Sequence, residues 1–278
     1  MVPTLQLIET EVTQSTAPFL QGDIIRLLPE SERPDPALGV IINADCDLVN
    51  CKIDGFVSYF PVYSFSRYFE KFWIPTYIEA RRLELLNQVT QICALQTDNY
   101  DALTNWLRDD AANIVIENLS KTYSVRPNTI APKIAELSLI ERSNTFDARL
   151  LERIFEEQHL EKKDAFAKLA RRALKNLGDG NFFINEIAGL DQIGFVIRMR
   201  RIYGIDAEHV HPSPPSITSP GKHTSLHAVR IAKLSNLYRF KMAQLFSYQF
   251  SRIGLPDEIT RLNEIAAEAA ALEIGTNS

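Results

Sequence analysis

The sequence predicts an α+β fold in which a small β-barrel is interrupted by a helical insertion and closed by C-terminal helices. Residues 20–64 and 180–236 contain short apolar runs with the two-residue alternation of strands. Residues 65–178, between them, repeat apolar positions every three to four residues, which is typical of helices. Because neither strand region has enough strands to be stable alone, we expect both to join one barrel.

Each strand is expected from its alternation and from the turn residues beside it. Gly22 precedes the first strand, and the segment ESERPDP follows it as a proline-rich connector. A long loop, residues 206–225, holds four prolines and precedes the last strand. The expected strands are residues 23–28, 39–44, 56–63, 181–187, 194–202 and 227–234.

The helices are expected from apolar spacing and from capping residues. Pro75 can start the first helix of the insertion, and Gly178 ends the last one. Ser235 or Asn236 can cap a helix that Gly254 ends, and residues 257–274 are expected as one more helix, so that residues 237–274 form the C-terminal unit. The expected helices of the insertion are residues 75–97, 101–119, 129–140, 146–159 and 164–177.

Composition indicates an ordinary globular chain. The 278 residues are 45% hydrophobic and 23% charged, with a formal net charge of -5, which argues against a surface wholly devoted to nucleic acid. No apolar run approaches the roughly 20 residues that span a bilayer. The N-terminus lacks the pattern of a secretory signal, and three cysteines cannot all pair. We therefore expect a cytoplasmic protein without a membrane partner.

Several segments resemble known bacterial proteins. The segments GDIIRL and GVIINADCDL resemble the start of a MazF/PemK-like, SH3-like barrel. Asp45–Leu48, Gly194–Ile202 and Leu234–Pro256 together resemble a group of uncharacterised bacterial proteins whose strand ends in DCDL. The MazF/PemK resemblance implies an SH3-like barrel and metal-free RNA cleavage by an arginine with a serine or threonine. Arg26 lies near that arginine position, whereas Asn43 occupies the position of the hydroxyl residue.

Asp45, Cys46 and Asp47 follow the second expected strand and are candidates for catalysis or binding. On an extended chain the two carboxylates point to the same side, where one pKa can be raised or a cation shared. Alternatively, they satisfy backbone donors at the strand end and Cys46 is a small filler. Lys52 could pair with either carboxylate. If this cluster acts, we expect it to act with Arg198, Arg200 or Arg239.

No metal site and no cofactor are expected. Cys46 and Cys51 offer two thiols, but zinc needs four ligands and no second cysteine pair follows. Four of the five histidines are concentrated near the proline-rich loop, where we expect solvated side chains. These are His209, His211, His223 and His227.

Basic residues in two segments form a candidate anion-binding face for RNA or DNA phosphates. One group lies on a single expected helix, and the other ends an expected strand. Glu156, Glu157 and Glu161, just upstream of that helix, could neutralise part of this charge. The basic residues are Lys168, Arg171, Arg172 and Lys175, then Arg198, Arg200 and Arg201.

The C-terminal helix is rich in aromatic residues, and its start carries three further binding candidates. We expect its aromatic side chains to be buried between the barrel and the helical block; a partner surface is the alternative. The binding candidates are Ser235, Tyr238 and Arg239, and the aromatic residues are Tyr238, Phe240, Phe246, Tyr248 and Phe250.

Three functions remain open at this point. The motifs of phosphate loops, serine hydrolases, zinc proteases and kinases do not occur in the sequence. The first hypothesis is a non-enzymatic binding or regulatory component of a bacterial conflict or antiphage system, which docks a protein encoded nearby or a nucleic acid. The second is a ribonuclease that uses Arg26, Asp45, Asp47 and Arg198. The third is a DNA-binding regulator.

Overall fold

The computed structural model describes residues 8–28, 35–95, 100–213 and 226–250, together with Ile265. It is a mixed α/β structure with a nearly closed antiparallel β-barrel. The strands are β1 (Thr10–Glu11), β2 (Asp23–Leu28), β3 (Leu38–Ile41), β4 (Phe56–Ser64), β5 (Asn181–Glu186), β6 (Ile193–Arg198), β7 (Tyr203–Asp206), β8 (Val210–His211) and β9 (His227–Leu234).

The two strand regions pair with each other, as expected for one barrel. The order across the sheet is β1-β9-β2-β3-β4-β6-β5, and β7 pairs with the first half of β4. Antiparallel pairing of β2 with β9 and of β4 with β6 joins the segments before and after the insertion. The short β8 is parallel to β9. Both strand regions therefore contribute to the nearly closed antiparallel barrel, whereas its SH3-like, MazF/PemK-like type remains a prediction.

Between β1 and β5 the described residues form no strand ladder, and side-chain hydrogen bonds bridge the gap. The Thr10 hydroxyl donates to the carbonyl of Glu186 at 3.3 Å and accepts from the amide of Ala188 at 2.8 Å. The Glu9 carboxylate accepts from the backbone amides of Asn185 and Glu186. These contacts satisfy backbone groups that the edge of β5 would otherwise leave unpaired.

The helices of the insertion have a core of their own. Leu85, Leu107, Ile130 and Ile134 are fully buried in it. The helices are α1 (Asp45–Val49) within the barrel region, then α2 (Phe65–Tyr68), α3 (Ile74–Ile92), α4 (Tyr100–Asp109), α5 (Ala112–Tyr123), α6 (Pro127–Glu141), α7 (Ala148–Glu157) and α8 (Lys162–Lys175), and finally α9 (Asn236–Phe250). None of the helices in the described ranges is both long and apolar enough to span a membrane.

A run of stacked aromatic rings connects the barrel to this block. The chain passes from β4 through α2 and a π-helical turn, Phe69–Trp73, into α3. The rings of Phe65, Phe69, Trp73 and Tyr77 stack in sequence, with centroids 6.1, 5.1 and 4.9 Å apart. The four-residue spacing places them on one side of the helical run.

Some boundaries differ from the sequence prediction. The expected strand 39–44 ends at Ile41, and the expected helix 101–119 is two helices, α4 and α5. The expected strand 194–202 ends at Arg198, because the chain turns at residues 199–200, where the amide of Arg201 donates to the carbonyl of Arg198. The expected helix 257–274 and His223 lie outside the described residues, except for Ile265.

Candidate functional site

The Asp45–Val49 stretch is a short helix, which corrects the extended conformation expected for it. A helix turns 100° per residue, so Asp45 and Asp47 point to nearly opposite sides. Five residues are too few to show helical periodicity in a sequence, which explains the error. The two carboxylates therefore do not form a shared acidic pair.

Asp45 joins three segments of the barrel region. Its Oδ1 accepts from the backbone amide of Gln21 at 2.8 Å, and its Oδ2 accepts from Arg239 Nη1 at 3.0 Å. Arg239, near the start of α9, has a largely buried side chain. Of the three arginines expected beside this cluster, Arg239 is therefore the one in contact. The arrangement anchors α9 to the barrel.

The other polar residues of this stretch make few contacts. Cys46 and Cys51 are exposed free thiols, and the Cys46 thiol donates weakly to Asp47 Oδ1 at 3.5 Å. Lys52 is exposed and makes no ion pair in the described part of the chain, so its expected pairing with Asp45 or Asp47 is not formed. Among the described residues, no group of three or more suitable ligands could hold a metal ion.

Arg26 and Arg198 point to opposite faces of the sheet. Cross-strand pairing places Arg26 beside Leu38, Leu38 beside Val62, and Val62 beside Ile197. Partners in one row share a face, and Arg198 follows Ile197, so its side chain points the other way. The structure therefore does not bring the residues of the ribonuclease hypothesis together.

Arg198 lies where the barrel meets the helical block, with its guanidinium stacked on Phe72. The guanidinium carbon is 3.7 Å from the Phe72 ring centroid. Its Nε is buried and has no hydrogen-bond partner in the described ranges. Burial lowers the pKa of Arg198, while the nearby hydroxyls of Tyr63 and Tyr68 oppose that shift. A partly buried cation without a carboxylate partner is an unusual use of arginine, since buried charges are normally paired.

Four cations of α8, from Lys168 onward, also make no ion pair in the described ranges. Lys168, Arg171, Arg172 and Lys175 are exposed, and none makes an ion pair within the described ranges. The upstream glutamates do not neutralise them: Glu156 pairs with Lys162 at 2.7 Å. Glu161 accepts from the amide of Asp164 as an N-cap.

Contacts around Tyr68 place the end of α8 beside Arg198. The Tyr68 hydroxyl donates to the carbonyl of Leu177, just after α8, at 3.3 Å. Arg198 pairs in register with Asn181 at the start of β5, and Arg200 packs against Gly180. We use "junction surface" for Lys168, Arg171, Arg172, Lys175, Arg198, Arg200 and Arg201.

The start of α9 is structural in character. The Ser235 hydroxyl oxygen is buried and has no partner in the described ranges, and the Tyr238 hydroxyl donates to the Glu9 carboxylate at 2.8 Å. Tyr238 and Phe246 are partly buried against the barrel core. Phe240 and Tyr248 are 61% and 56% exposed, so the expectation of internal burial is wrong for these two residues.

Two groupings were not predicted from the sequence. The rings of His209, His211 and His227 meet beside β8 and β9, and the facing nitrogens of His211 and His227 are 3.0 Å apart. The H-x-H spacing of His209 and His211 is visible in the sequence. The sequence does not show that these two residues lie beside His227 on β9.

The second grouping joins Asp35 to Arg67 and Lys71. The four-residue spacing of Arg67 and Lys71 was a signal that these two cations share a helix face. Nothing in the sequence linked them to Asp35.

Comparison of the chain with models of protein families, with curated proteins and with solved structures found no match. The resemblance to MazF/PemK-like barrels therefore stays a prediction.

Proposed function

We propose that the protein is a non-enzymatic binding component that holds a nucleic acid by its phosphates at the junction surface. The observation that supports this most is Arg198, whose partly buried guanidinium stacks on Phe72 and has no carboxylate partner in the described ranges. Buried or partly buried charges are normally paired with an opposite charge. A bound anion could supply that partner at the accessible part of the guanidinium.

Phosphate is the acceptor that best matches this surface. The planar guanidinium of arginine can bind two phosphate oxygens at once. Five of the seven cations of the junction surface are arginines. Clustered cations that make no ion pair in the described ranges attract a polyanion even when the net charge of the protein is negative. The proposal therefore concerns the sugar-phosphate backbone and makes no statement about base sequence.

The resemblance to MazF/PemK-like, SH3-like barrels supports the same proposal. We include in this proposal a role in a bacterial conflict or antiphage system, with a protein partner encoded nearby. That role depends on the resemblance alone. RNA cleavage is not part of the proposal, because Arg26 and Arg198 lie on opposite faces of the sheet.

The test is the salt dependence of binding. Fluorescence anisotropy would be measured with labelled single-stranded RNA, single-stranded DNA and duplex DNA between about 50 and 200 mM NaCl. For a single strand, we expect log K to fall with log salt by about 0.7 per neutralised phosphate, or about 5 if all seven cations participate. Absence of binding, or binding independent of salt, would contradict the proposal. RNA that is degraded during the titration would favour the ribonuclease hypothesis.

A further inference from the structure

Two further cations, Arg67 and Lys71, lie beside the junction surface, and Lys71 shares Phe72 with it. Arg67 lies in α2 and Lys71 in the π-helical turn, four residues apart and on one side of the helical run. Lys71 Nζ is 5.5 Å from the Phe72 ring centroid, and the Arg198 guanidinium carbon is 3.7 Å from the same centroid. Lys71 and Arg198 therefore border one aromatic ring, and Arg67 lies one helical turn from Lys71.

Asp35 neutralises this pair incompletely. Arg67 Nη2 and Lys71 Nζ donate to the same oxygen, Asp35 Oδ2, at 2.6 and 2.7 Å. Asp35 Oδ1 has no contact of this kind in the described ranges. Glu70 is the other carboxylate that acts on Arg67, and it is beyond ion-pair distance. One shared oxygen thus meets two cationic donors.

The shared carboxylate is ionised and accessible. Burial alone would raise the pKa of Asp35, but the hydrogen bonds from Arg67 and Lys71 outweigh it and lower that pKa. The side chains of Arg67 and Lys71 are 51% and 38% exposed. Ion pairs this exposed contribute little to stability, so a ligand oxygen can replace Asp35 at small cost.

We propose that Arg67 and Lys71 form a phosphate subsite, and that Asp35 occupies the position of the phosphate in the unbound protein. This inference rests on the proposed function and extends the nucleic-acid surface past Phe72. An open cleft of about 390 Å³, lined in part by Asp35, Tyr63, Ser64 and Arg67, provides space beside the subsite. A phosphate offers several oxygens, so the two cations need no longer share one.

The first test compares Asp35→Ala with Glu70→Ala. Both variants remove one negative charge from the neighbourhood of Arg67, but only the first removes the contact shared with Lys71. We expect Asp35→Ala to bind a single-stranded oligonucleotide about 3- to 10-fold more tightly at low salt, and Glu70→Ala to change affinity by less than about 2-fold. Adding Lys71→Ala to Asp35→Ala should remove the gain.

The outcomes separate this inference from the proposed function. Equal gains for Asp35→Ala and Glu70→Ala, or no gain for Asp35→Ala, would overturn the subsite while the wild type still bound the oligonucleotide. If the wild type and the variants bind no oligonucleotide, the proposed function fails. The subsite is then tested with inorganic phosphate by calorimetry: binding by Asp35→Ala supports it, and no binding overturns it. Thermal unfolding of each variant confirms that it is folded.

Discussion

Arg239 Nη1 lies 3.0 Å from Asp45 Oδ2 and so joins α9 to α1 across 194 residues of sequence. The contact explains why an acidic stretch follows a buried strand. Asp45 also accepts from the amide of Gln21, so one carboxylate holds three segments together. The carboxylate is 43% exposed, which limits the energy of the pair.

The first prediction concerns this tether. Asp45→Ala should lower the free energy of unfolding by about 0.5–1.5 kcal/mol, because an ion pair and a backbone hydrogen bond are lost. Asp47→Ala is the matched control and should change it by less than about 0.5 kcal/mol. Urea denaturation measures both. Oligonucleotide binding should be unchanged in both variants, and its loss in Asp45→Ala alone would place Asp45 in the binding site.

The second prediction concerns the buried pair of Asp23 and Arg230. Arg230 donates to Asp23 at 3.0 Å and to three backbone carbonyls of residues 14–18. Asp23→Ala leaves a buried charge without its counterion and should cost about 3–5 kcal/mol in denaturant titrations. Asp23→Asn keeps an acceptor oxygen and should cost less. Equal losses for the two variants would show that the oxygen is unimportant.

The third prediction concerns the packing of β3 on β4. A Cβ at Gly39 would lie 2.4 Å from Tyr59 Cδ2, which is far inside van der Waals contact. Gly39→Ala should therefore destabilise the barrel by about 1–3 kcal/mol. Gly204→Ala, in β7, is the control, because its Cβ would meet nothing closer than Phe56 Cδ1 at 3.9 Å. A Gly39→Ala variant as stable as Gly204→Ala would contradict this packing.

The fourth prediction concerns alkaline pH. Burial raises the pKa of Tyr59 and of Tyr63 to about 12, above the usual value of 10. The folded state thus favours the neutral phenols, and their contribution is complete below about pH 10 and lost as the pH rises to about 12. Phenolate absorbance should show a late-titrating phase that is smaller in Tyr59→Phe. An unchanged titration in that variant would contradict the assignment.

The barrel could be predicted from the sequence because its signal is local. Alternation in residues such as Val57 and Tyr59 marks strands, and two incomplete sets of strands must combine. The pairing of β4 with β6 and the bridging by Glu9 and Thr10 could not be predicted, because they depend on contacts between residues more than 130 positions apart.

The site was predictable only in part for the same reason. The sequence identified Arg198, Asp45 and Arg239, but it assumed an extended chain at Asp45 and so implied a carboxylate pair. Phe72 beneath Arg198 lies 126 positions away in the sequence, and no periodicity links them. The sequence also does not show which cations of α8 lack an ion pair, because that depends on the contacts that Glu156 and Glu161 make.

The most direct test of the account is the affinity of Arg198→Ala for a single-stranded oligonucleotide. Lys121→Ala is the control, since Lys121 lies on α5, which packs on α4 and α6, and pairs with Glu117. We expect at least about a tenfold loss for Arg198→Ala and less than about a twofold change for Lys121→Ala. The unfolding temperature of Arg198→Ala should lie within a few degrees of the wild-type value, because the substitution removes a partly buried charge that has no carboxylate partner in the described ranges. A stable Arg198→Ala protein that binds as tightly as the wild type would contradict the account.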